Sequence, residues 1–156
     1  PGILSAIFGD WQWSGDWTIT SGLPFTPRVL GDIQNVSGGV NGTLRAQATG
    51  LPVSVPDPSV NQWFNTSAFV TPPTGVFGDA RRNSIEGPGT LLMDMALTKV
   101  VHFKENRTLE LRASASNVFN RPQFTSIDTL VTSPSYGRVT AVGAMRTILL
   151  TARFRF

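Results

Sequence analysis

The sequence predicts an all-β chain: an antiparallel transmembrane β-barrel wall of about four long strands with long extracellular loops. Three features point to it. Apolar and polar residues alternate with period two through four separate segments. Each segment runs to about 11–13 residues, against the roughly 9–11 that a tilted strand needs to cross a bilayer. One connection is tight and the others are very long. Membrane barrels show this asymmetry, with short turns on one side and long loops on the other.

The first strand lies between Trp11 and Ser21. Trp11, Trp13, Gly15, Trp17 and Ile19 take one face, and Gln12, Ser14, Asp16, Thr18 and Thr20 the other. Successive side chains of a strand point to opposite faces, so this order builds two unlike surfaces. The second strand runs from about Leu91 to Phe103. Its apolar face is Leu91, Met93, Met95, Leu97, Val101 and Phe103. Lys99 interrupts that face, which predicts a bulge there.

The third strand spans Thr108 to Phe119. Leu109, Leu111, Ala113, Ala115 and Phe119 oppose Thr108, Glu110, Arg112, Ser114 and Ser116, with Asn117 as the polar residue on the apolar side. The fourth runs to the last residue, with Ile148, Leu150, Ala152, Phe154 and Phe156 on one face. The polar face of the whole wall carries Asp16, Asp94, Glu110, Arg112, Arg153 and Arg155, mixed in sign and suited to a watery lumen. Helical periodicity is limited to one turn over Ile3–Phe8.

Lys104-Glu105-Asn106-Arg107 closes a tight hairpin between the second and third strands. Roughly 70 residues, about 22–90, separate the first strand from the second, and about 25, about 120–144, separate the third from the fourth. A short strand pair is expected near Tyr136–Val142. Both long connections are rich in Gly, Pro, Asn, Ser and Thr, and they leave the same end of a meander. Loops of this length are usually functional or mobile.

Composition narrows the classes further. The 156 residues hold 15% charged residues, against about 25% in ordinary soluble domains. The low charge fits a strand face turned to lipid and long uncharged loops. The net charge is +3 and the basic residues are scattered, so no stripe for nucleic acid exists. With no Cys and one His, His102, thiol chemistry and multi-histidine metal sites are excluded. No Ser/His/Asp pattern surrounds His102, and no Gly-rich run ends in Lys-Ser/Thr. The expectation is a non-enzyme with no cofactor and no metal. The smallest single-chain membrane barrels have about eight strands, so about four cannot close. The chain is therefore expected to continue on the N-terminal side of Pro1, or to share a barrel with other copies.

Several segments carry a family resemblance: WFNTSAF (Trp63–Phe69), FGDARRNSIEGPG (Phe77–Gly89), LMDMALTK (Leu92–Lys99), LELRASASNVFNRPQF (Leu109–Phe124), SYGRVT (Ser135–Thr140) and MRTILLTARFRF (Met145–Phe156). WQWSGDWTITSGLPFTP (Trp11–Pro27) adds to them. Together they resemble the C-terminal end of TonB-dependent outer-membrane receptors, of the Oar-like branch with a carboxypeptidase-regulatory-like N-terminal domain. The resemblance implies a bacterial outer-membrane location and a plugged barrel of about 22 strands, of which residues 1–156 form the last few. It implies uptake of a large scarce solute, with TonB engaged through the missing N-terminal part. The other implied partners are outer-membrane lipid and the barrel assembly machinery, which reads a C-terminal strand such as Ile148, Leu150, Ala152, Phe154 and Phe156.

Trp63, Phe64, Arg81 and Arg82 are the candidate loop contacts to the solute. The alternative for the charged segment is packing through local ion pairs among Asp79, Arg81, Arg82 and Glu86. The rival readings for the whole chain are a soluble secreted β-sandwich for binding or adhesion, and a subunit of an oligomeric barrel.

Overall fold

The computed structural model describes residues 7–30, 44–103 and 107–156. Of the expected helical turn over Ile3–Phe8, only Ile7 and Phe8 fall within the described residues, and both are helical. Positions 104–106 of the expected hairpin loop lie outside them. The elements in chain order are β1 (Trp11–Thr20), β2 (Pro24–Phe25), β3 (Arg28–Val29), β4 (Leu44–Arg45) and β5 (Gln47–Ala48). A short 3-10 turn (Thr66–Ala68) leads into β6 (Phe69–Val70). Then come β7 (Ile85–Glu86), β8 (Thr90–His102), β9 (Thr108–Ser116), β10 (Phe124–Ile127), β11 (Val139–Val142) and β12 (Thr147–Arg155). They group into two compact units. A sheet unit takes 1–20, 90–123 and 144–156, and a loop unit takes 21–89 and 124–143.

The sheet unit is one antiparallel sheet in the order β1-β8-β9-β12. Its register decides which side chains share a face, because directly paired residues point the same way. Trp13 opposes Leu97, Leu97 opposes Ala113, and Ala113 opposes Leu150, giving an apolar row across all four strands. Val101, Leu109 and Phe154 form another. On the reverse face Asp16 opposes Asp94, Thr98 opposes Arg112, and Glu110 opposes Arg153. The alternation thus resolves into one apolar and one polar surface, as expected.

The expected bulge at Lys99 is absent. Lys99 pairs with Trp11 on one side and Leu111 on the other, with no shift in either ladder. The charge is accommodated by the side chain instead of the backbone. The ammonium of Lys99 donates to the carbonyl oxygen of Gly9 and lies 5.5 Å from the centroid of the Trp11 ring. The stem covers apolar surface while the head reaches polar and π partners at the strand end.

The third strand also ends sooner than alternation predicts. Asn117 has φ 51°, a left-handed conformation that ends β9 at Ser116 and takes Phe119 off the ladder. Asn117 is 3% exposed and fully engaged. Its N–H donates to Asp94 Oδ1 at 2.9 Å, its Nδ2 donates to the Arg121 carbonyl at 2.9 Å, and its Oδ1 accepts from the Arg121 N–H at 3.1 Å. Phe119 instead packs on Trp17, ring centroids 5.8 Å apart. β12 closes at Arg155, so Phe156 lies one residue past the strand.

The long connections are not plain loops. They fold around a core of their own that includes Val29, Phe64, Phe69, Ile85 and Ile127. Two-residue ladders join β2 to β7, β3 to β4 and β5 to β6. The short pair expected near Tyr136–Val142 is present, but it joins β10 to β11, and Tyr136 stays in the turn between them. That turn is organised by Asp128, which accepts from the Ser133 and Ser135 hydroxyls and from the Leu130 N–H. Burial pushes the Asp128 carboxyl up, but these bonds and the Arg28 charge outweigh it and hold the group below its ordinary range.

Candidate functional site

Two surfaces can act. The first is the apolar face of the sheet unit. Every residue of β1 and β12 is exposed, Leu150 at 74% and Trp13 at 61%. A contiguous apolar face of this size is costly against water and marks a contact with something apolar. Ile148, Leu150, Ala152 and Phe154 all belong to it, since they oppose Ala115, Ala113, Leu111 and Leu109. Phe156 is almost fully exposed beyond them. Aromatic rings gather at the hairpin end, where Phe154 lies 6.4 Å from Phe103 and 6.2 Å from Phe156.

The second surface is in the loop unit. A cavity of about 480 Å³ is lined by Val53, Val55, Trp63, Phe64, Ser84 and Glu86, among others. Trp63 is held on three sides. Its backbone N–H donates to Gly137 O at 2.7 Å, its indole N–H donates to Glu86 O at 3.0 Å, and its ring meets Phe124 edge-on. Phe64 is 2% exposed and packs edge-on against Phe69 and Tyr136, so it serves the core as well as the cavity wall. Tyr136 is itself partly buried, and burial with the nearby Asp128 charge pushes its phenol above the ordinary range. The Ser84 hydroxyl is buried without a hydrogen-bond partner, which leaves a donor and an acceptor at the cavity wall. Rigid aromatics with a few polar groups are the usual makings of a small-molecule site.

Of the four candidate loop contacts, Trp63 and Phe64 share this cavity, and Arg82 lines a second one with Arg28 and Arg45. Arg81 is exposed and lines neither. The expected local ion pairs are not formed. None of these four residues is within 4.0 Å of an opposite charge among the described residues, and the acid–base contact that does form is His102 Nδ1 with Asp10 at 3.6 Å. Asp79 instead caps the backbone, accepting the Ala48 N–H at 2.9 Å. Sequence reasoning missed Ser84, Arg28 and Arg45. No spacing joins them, because β3–β4 pairing brings Arg28 opposite Arg45 across an intervening segment.

A family model for an outer membrane beta barrel domain matches residues 1–148. The chain belongs to this outer membrane beta barrel family. No curated protein and no solved structure matches it. As an outer membrane beta barrel segment, the chain resides in the bacterial outer membrane, and its sheet unit is barrel wall. The apolar face has the character of a lipid-facing barrel surface, and the face with Asp16, Asp94, Glu110, Arg112 and Arg153 has that of a lumen lining. Among the described residues the order β1-β8-β9-β12 leaves β1 and β12 as open edges, and lipid offers no hydrogen bonds to them. The wall therefore works only as part of a larger closed sheet.

Proposed function

We propose that this barrel wall belongs to a TonB-dependent outer-membrane transporter, which takes up a large scarce solute and performs no catalysis. The observation that carries the reading is the loop unit. Connections from one end of the sheet build their own core and a cavity walled by Trp63, Phe64 and the unpartnered Ser84 hydroxyl. A wall without a receptor task has no need of so large a folded insertion. The resemblance of Phe77–Gly89 and Leu109–Phe124 to TonB-dependent receptors supports the same reading. The full barrel has about 22 strands on this view, with TonB engaged by a part outside these residues. Its other partners are outer-membrane lipid, the assembly machinery and the solute. Nucleic acid has no role.

Formaldehyde cross-linking in cells tests it without knowledge of the solute. The full-length protein is expected to form an adduct with TonB; no adduct at normal expression overturns the transporter reading. The assembly signal is tested at the C-terminus. Phe156, exposed past the end of β12, is free to enter the assembly machinery with the alternate residues behind it. Deleting Phe156 is expected to lower the outer-membrane level several-fold, measured by membrane fractionation. An unchanged level removes the signal role.

A further inference from the structure

We propose that Arg28, Arg45 and Arg82 form an anion-binding cavity in the loop unit, which takes the phosphate or carboxylate groups of a polyanionic ligand. The cavity is about 280 Å³, and its lining includes these three arginines, Thr26, Leu44 and Phe77, with no carboxylate among the described residues. That volume suits one or two oxyanion groups, so it holds the charged end of a ligand.

The arginines stand together with no ion pair to a carboxylate within 4.0 Å among the described residues. β3–β4 pairing sets Arg28 directly opposite Arg45, an arrangement that disfavours the ladder unless something neutralises it. Two carboxylates nearby in the unit are already committed. Asp79 holds the Ala48 N–H, and Asp128 is bound by Ser133, Ser135 and Leu130 while its charge is felt by Arg28. Arg45 gives one guanidinium nitrogen to Ala80 O at 2.9 Å, and a guanidinium carries further N–H donors beyond that bond. A planar fork of this kind matches phosphate and carboxylate oxygens two at a time.

The frame is fixed in advance. Arg28 donates its N–H to Thr129 O and accepts from Val131 N–H, both at 2.9 Å. The Ala80 N–H donates to Ala46 O at 3.0 Å, locking the strand of Arg45 to the segment before Arg82. Gly78 makes that approach feasible, since a Cβ there would stand 2.1 Å from the Arg45 carbonyl oxygen. On the other side the Asn83 N–H donates to Thr26 Oγ1 at 2.9 Å. A frame held by backbone bonds loses little freedom on binding.

The cavity deepens the transporter reading by giving its ligand a charge, yet binding itself does not depend on transport. The test is isothermal titration of the full-length protein in neutral detergent at low salt, with inorganic pyrophosphate as probe. Wild type is expected to bind, with affinity falling as salt rises. Arg45→Gln and Arg82→Gln are each expected to weaken binding at least tenfold. Arg45→Lys, which keeps the charge and loses the fork, is expected to fall between. Arg81→Gln, outside the cavity, is the control and is expected to leave binding unchanged. No binding by wild type, or an equal loss in Arg81→Gln, overturns the site. A second arm titrates lipid A. Pyrophosphate binding alone assigns a dissolved anion, and Arg45-dependent lipid A binding assigns membrane phosphates; both outcomes keep the site. Anion binding without a TonB adduct removes only the transporter reading, and an adduct without anion binding removes only the cavity.

Discussion

Leu150→Arg is expected to destabilise the assembled barrel by about 2–4 kcal/mol, the cost of a cation near the bilayer midplane on the lipid face of a barrel. Leu150 lies near the middle of β12, opposite Ala113, in the row that continues through Leu97 to Trp13. No polar group belongs to that row. The neighbouring Leu149 provides the contrast, since it opposes Ser114 and faces the lumen. Leu149→Arg is expected to change stability by only about 0.5 kcal/mol, as for an ordinary solvent-facing position. Denaturant unfolding of the full-length barrel in lipid vesicles measures both. Lys99 shows what a tolerated cation on this face requires. It sits near the hairpin end of β8, reaches the Gly9 carbonyl and lies by the Trp11 ring. An arginine at position 150 has no such exit within reach of its own strand end.

Gly22→Ala is the second large effect, and it falls on the loop unit. A Cβ at Gly22 would lie 1.8 Å from the Gly87 carbonyl oxygen and 2.6 Å from its carbon. Both obstacles are backbone, so no side-chain rotation relieves them. The same strand pair is held by the Gly87 N–H donating to Leu23 O at 2.9 Å, and β2 pairs with β7 alongside it. Separating the backbones breaks this ladder and uncovers Ile85, which is fully buried. The expected cost is about 3 kcal/mol or more. Protease digestion of whole cells should cut the loop unit of the variant while the sheet unit still assembles, because Gly22, Gly87 and the ladder they disturb all belong to the loop unit. Wild-type protease resistance in the variant would contradict the close approach at Gly22.

The wall was legible in the sequence because period-two alternation is a local signal. The expected first strand starts with β1 and ends one residue later, and the expected second differs from β8 by one residue at each end. Errors arose where a single residue acts through tertiary partners. Asn117 turns left-handed because Asp94 and Arg121 engage it, and nothing in the alternation registers that. Lys99 looks like a bulge only if its long side chain is ignored. The loop unit was hardly legible. Its ladders are two residues long, too short for periodicity, and its core joins Val29, Phe64 and Ile127 from distant positions. Trp63 is visible in the sequence as an aromatic in a polar loop that could stack on a ligand. Ser84, Arg28 and Arg45 became functional candidates only when the fold brought them to a cavity wall.

The central claim is that one face of this sheet meets lipid and the other meets the lumen. A cysteine scan of β12 in the full-length protein tests it most directly, each site carrying an environment-sensitive fluorophore in lipid vesicles. Labels at Ile148, Leu150 and Ala152 are expected to be quenched by a lipid-bound quencher, and labels at Leu149, Thr151 and Arg153 by aqueous iodide. Alternation with period two along the strand is the predicted result. Uniform iodide quenching at all six positions would contradict the account, because it would put both faces of the strand in water.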